Sequence, residues 1–152
     1  MSYTSAEGRR QILDELDGAG HEIDIALAEL GHAYELLDDD MATRLEDELF
    51  RPLQQAAGQA RRTSVEFAAR YDLSAAAPAA VPEPAHGHSA NAAIEGAATA
   101  AVRADLRLSE LQDSMLPIEV GDPQLRAGIE QVRVLLDLIG RRAREITRSV
   151  GR

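Results

Sequence analysis

The chain has no cysteine, no tryptophan and no lysine, and only five of its 152 residues are aromatic. Without cysteine there are no disulfides, no thiolate metal sites and no thiol nucleophile. No apolar run approaches the ~18 residues needed to cross a bilayer, and the first residues are polar, so the expectation is a cytoplasmic protein without a membrane partner. With so few rings, a core has to be built from Leu, Ile, Val and Ala, which suits helices better than strands.

What is present is consistent with that. Hydrophobic residues make up 45% of the chain, enough for a core, and the length predicts one domain spanning residues 1–152. The formal net charge is −10, from 26 acids against 16 bases, every base being arginine. Residues 1–50 hold 14 acids and 3 Arg, whereas residues 122–152 hold 4 acids and 7 Arg. Such lopsidedness is explained most simply by composition together with pairing between the acidic first arm and the basic last helix.

Periodicity predicts an all-α fold of four helices, over about residues 4–37, 41–71, 90–116 and 123–150. Thr4 followed by Glu7 spells a capping box. From there Leu13, Leu16, Gly20, Ile23, Leu27, Leu30, Tyr34 and Leu37 recur at spacings of three and four, a heptad seam on helix 1. The acids Asp38, Asp39 and Asp40 suit a turn and a helix N-terminus better than a helix interior. Helix 2 carries Ala42, Leu45, Leu49, Leu53, Ala56, Ala60, Phe67 and Tyr71 on one side, with a kink expected at Pro52. A single helix over residues 4–71 that folds by dimerising is the alternative, since the turn lacks Gly or Pro.

Residues 72–89 form a Pro/Ala-rich connector, with prolines at 78, 82 and 84. Extended at ~3.1 Å per residue it reaches roughly 50 Å, as far as a helix of about 30 residues is long. Ser89 or Asn91 can cap helix 3, whose stripe is Ile94, Ala97, Ala98, Ala101, Leu108, Leu111 and Met115, ending before Pro117. Gly121, Asp122 and Pro123 mark the next boundary, and helix 4 repeats the heptad with Leu125, Ile129, Val132, Leu136, Ile139, Ala143, Ile146 and Val150. Two hairpins joined by a long connector permit a ferritin-like crossover between parallel helices 2 and 3, or a slack loop between antiparallel neighbours.

That first topology gives interest to Glu29 and His32, an E-x-x-H spelling of the kind that carboxylate-bridged di-metal bundles use. On the Leu27/Leu30/Tyr34 seam, however, Glu29 falls at a c position and His32 at f, pointing out. A second such spelling, Glu83 and His86, lies in the proline connector, where it cannot share a helical face. Glu95, Glu110, Glu130 and Glu145 offer carboxylates on helices 3 and 4 but no histidine accompanies them. His86 and His88 could chelate a metal at two imidazoles, but they lack a third ligand on a rigid element.

Other chemistry is weaker. His21 and His32 are followed three residues later by Asp24 and Glu35, which would repel a phosphoryl group. No nucleophile, base and orienting group can be placed together from the sequence. Arg141, Arg142, Arg144, Arg148 and Arg152 could follow a phosphate backbone, but Asp137 and Glu145 flank Arg141 at i−4 and i+4, the pattern of a solvated face. Ile25 and Leu36 lie off the seam and could join Ala28 or Ala33 in a helix-docking patch. The expectation is a non-enzymatic bundle acting through protein contacts, self-association included, with no catalytic, cofactor or metal residues assigned. Its alternatives are a divergent ferritin-like carboxylate metal protein and nucleic-acid binding through helix 4.

Overall fold

The computed structural model describes residues 4–74, 79–84 and 89–150; for Val150 it describes the backbone alone. Among the described residues the chain is helical, without a strand. In order the elements are α1 (Ser5–Glu35), α2 (Asp39–Leu45), a π-helical turn (Glu46–Phe50), α3 (Arg51–Arg70), α4 (Ala90–Asp113), the short α5 (Leu116–Glu119) and α6 (Pro123–Val150). No helix is long and apolar enough to cross a membrane among these residues.

Each long helix starts where its sequence supplies a cap. Thr4 and Glu7 form the reciprocal capping box, the Glu7 amide donating to Thr4 Oγ1 at 3.1 Å and the Thr4 amide to Glu7 Oε2 at 3.2 Å. Asp38 accepts from the Met41 amide, so α2 begins at Asp39, two residues earlier than predicted, with the acids in its electropositive first turn. Ser89, not Asn91, caps α4, accepting from the Ala92 amide. Asp122 caps α6 through the Leu125 amide at 2.7 Å. Gly121 supports this last turn, since a side chain there would run into the Pro117 carbonyl.

At Pro52, where a kink is expected, the structure shows a change of helix type. The helical dihedrals run without interruption from α2 into α3, and the strain is taken up by the π turn just before the proline. Pro52 cannot give an amide proton to the Glu48 carbonyl one turn back. Widening the helix to a π turn accommodates the ring while keeping Leu49 and Leu53 in the core.

At the other end of α4 the prediction ran too far. The helix stops at Asp113, Met115 adopts the left-handed region at φ 67° and is 46% exposed, and Pro117 sits in the first turn of α5 rather than after a helix end. The proline is tolerated there because first-turn amides need no partner. Helix α1 likewise ends at Glu35, two residues short of the expected end.

α1 packs against α3 and α4, and α6 packs against the same two helices. Each of these pairs is antiparallel. Glu15 pairs with Arg107 while Glu29 lies against Gly96, along α1 and α4. Asp17 meets Ser64, and Arg9 stacks on the Tyr71 ring at the foot of α3. Arg133 pairs with Asp105 and Gln112 reaches Glu130 between α4 and α6. Arg70 holds Asp122 and Arg142 reaches the Glu48 carbonyl between the α2/α3 helix and α6.

One buried cluster draws on all the long helices. The α6 stripe from Leu125 to Ile146 is buried as predicted, and so is the helix 2 stripe from Ala42 to Phe67. The α1 seam is rotated from the expected one. Leu13, Leu16, Ile23 and Leu30 are inside as expected, but their companions are Ile12, Ala19, Ala26 and Ala33, while Leu27 is half-buried and Tyr34 is 47% exposed. The rotation follows from α4, which offers α1 a surface of Ala97, Ala100, Ala101, Ala104 and Gly96. Small side chains on both helices let the backbones approach, and that proximity buries the alanine side of α1. Ala33, expected off the seam, is fully buried.

Candidate functional site

The ionisable groups fall into three settings. At one end of the molecule, Asp122 is held by three residues. Arg70 donates to both of its oxygens at 2.7 and 3.0 Å, the Tyr71 hydroxyl donates at 3.0 Å, and the Leu125 amide completes the set. Partial burial alone would raise the Asp122 carboxyl, but these bonds outweigh it and hold it below its ordinary value. Tyr71 is pushed up, by burial first and then by its hydrogen bond to the Asp122 carboxylate. Arg9 stacks on the Tyr71 ring 4.1 Å from its centroid and donates to the Val120 carbonyl. With both Asp122 oxygens occupied, this clasp fastens helix ends together.

The second setting is the α1/α4 seam, which contains Glu29 and His32. The structure does not point them out into solvent as the predicted heptad required. Both are half-buried. The Glu29 carboxyl lies where Gly96 leaves room, its Cδ 3.3 Å from the place of a Cβ on that glycine. Glu29 Oε2 and His32 Nε2 are sealed from solvent without a hydrogen-bond partner among the described residues, as are Glu22 Oε2 and Asn91 Oδ1. Among the described residues, no group of three or more His, Asp or Glu side chains is arranged to hold a metal ion. His86 and His88 lie outside the described residues.

The third setting is a groove of about 710 Å³ between α1 and α3. Its walls are Leu13, Leu16, Ala57, Ala60, Val65 and Ala68, and its polar groups are Asp17, His21 and Asp24 from α1 with Arg61 and Ser64 from α3. Residue size creates it: Gly20 on α1 and Gly58 on α3 leave the two helices without side chains where others would interlock. A Cβ on Gly20 would meet nothing within 4 Å. Ala79 of the connector lies along the groove. Ser64 donates to Asp17 Oδ1 at 2.6 Å, leaving the second carboxylate oxygen without a side-chain bond among the described residues. Asp24 is raised from its ordinary value, by partial burial first, against the opposing pull of His21 and Arg61.

Sequence reasoning noted His21 and Asp24 only as poor phosphotransfer neighbours and did not bring Arg61 or Ser64 to them. The usable signal was the coincidence of Gly18 and Gly20 on one helix with Ala57, Gly58 and Ala60 on another, which needs the pairing of the helices to be interpreted.

The arginines of α6 are largely engaged. Arg142 donates to the Glu48 carbonyl, Arg126 to the Pro117 carbonyl, and Arg141 pairs with Asp137 at 3.3 Å, as the spacing suggested. Arg133 holds Asp105 at 2.8 Å, a bond that raises the guanidinium further above its ordinary value. Leu36 is exposed, while Ile25, expected at the surface, is half-buried and packs on the core. Comparison of the chain with models of protein families, with curated proteins and with solved structures gave no match.

Proposed function

We propose that the protein is a non-enzymatic helical scaffold that works through protein contacts, with a second copy of itself as the first partner. In this reading α1, the α2/α3 helix, α4 and α6 form a four-helix bundle of two hairpins, joined by a crossover between parallel α3 and α4 as in ferritin-like proteins. The antiparallel ion pairs and contacts between α1 and α4, and between α3 and α6, support that topology. The connector has the reach it needs.

The observation that carries the functional reading is the exposure of large apolar side chains on α4 and α6. Val102 and Leu106, one turn apart on α4, are 60% and 55% exposed, and Val134 on α6 is 61% exposed. Val134 follows Arg133, whose bond to Asp105 ties the two helices at that level. Exposed apolar side chains on two helices that pack side by side suit helix-to-helix association. Native mass spectrometry of the purified protein tests it: a defined oligomer is expected, converted to monomer by Leu106→Asp with Val134→Asp. A wild-type monomer at every concentration would overturn the reading.

The sealed, partnerless atoms of Glu29 and His32 favour one second reading, a divergent carboxylate metal site. It expects iron or manganese in near-stoichiometric amount after supplementation and its loss in Glu29→Ala; metal-free protein rejects it. Nucleic-acid binding through α6 has less support, because Arg126, Arg133, Arg141 and Arg142 already have partners within the chain.

A further inference from the structure

We draw no further inference here: the strongest candidate, the groove between α1 and α3 beside Gly20 and Gly58, carries nothing, because its mixed lining of Asp17, Asp24, His21 and Arg61 favours no one class of occupant and nothing in the structure shows what fills it.

Discussion

Arg142, on α6, donates from Nη1 to the backbone carbonyl of Glu48 at 3.2 Å, the acceptor that Pro52 cannot supply with an amide proton. A break in one helix is thus repaired by a side chain from its neighbour. Removing the guanidinium leaves a part-buried carbonyl without its partner, which costs about 1–3 kcal/mol. Arg142→Met is expected to lower stability by that amount in urea unfolding. The same substitution in a Pro52→Ala background is expected to cost less, because the residue 52 amide then becomes available. Equal costs in the two backgrounds would show that the bond is incidental.

Two glycines, one on α6 and one on α1, are expected to respond in opposite directions to alanine. On α6, a Cβ at Gly128 would collide with the buried, β-branched Thr63 side chain. Thr63 is held in place by donating to the Gln59 carbonyl at 2.8 Å. Overpacking of this kind costs about 1–3 kcal/mol, so Gly128→Ala should lower the melting temperature. Gly20→Ala meets no neighbour within 4 Å, and gains about 0.5–1 kcal/mol from helix propensity. Thermal melts of the two variants read the contrast directly.

Asp122 and Asp24 predict opposite slopes of stability with pH. The Asp122 carboxyl is depressed in the folded chain, so its stabilisation is complete above the ordinary value of 3.8 and is lost as pH falls through the lower folded value. Asp122→Asn should therefore destabilise at pH 7 and flatten the acid limb of the curve. Asp24 is raised, so the folded state binds its proton more tightly and ionisation above the folded value opposes folding. Asp24→Asn should be stabilising at pH 7 and near neutral below pH 3. Urea midpoints across pH 2–7 would separate the two, and slopes of the same sign would contradict the geometry.

Met115 sits in the left-handed region at φ 67° with its side chain half exposed. A non-glycine residue there carries a penalty of about 1–2 kcal/mol, which glycine avoids at some cost in unfolded-chain entropy. Met115→Gly is expected to raise the unfolding midpoint modestly, and a fall would show that the methionine side chain contributes more packing than its exposure suggests.

The sequence reported the fold well where hydrophobic volume and spacing agreed. The α6 stripe has large residues at every core position but Ala143, so its buried face could be read from Leu125 to Ile146. On α1 the alanines at 19, 26 and 33 competed with the larger Leu27 and Tyr34. Volume is a poor guide there, because what buries Ala26 and Ala33 is the closeness of α4, a property of the other helix. The same limit hid the groove. Gly20 and Gly58 are silent in either helix alone and become a void when the two meet. The π turn was visible only as a disturbance at Pro52, since the partner that satisfies Glu48 stands 94 residues away.

The stretch over residues 79–84 is outside any helix and largely exposed, and it lies between two halves that bury their apolar faces on each other. Covalent continuity at that point contributes proximity rather than packing. A chain severed there would become two polypeptides, α1 through α3 and α4 through α6, carrying between them every interdigitating surface of the intact molecule. Their reassembly would be a bimolecular recognition event governed by fragment concentration, which makes the proline stretch a natural place to divide the protein into complementing parts.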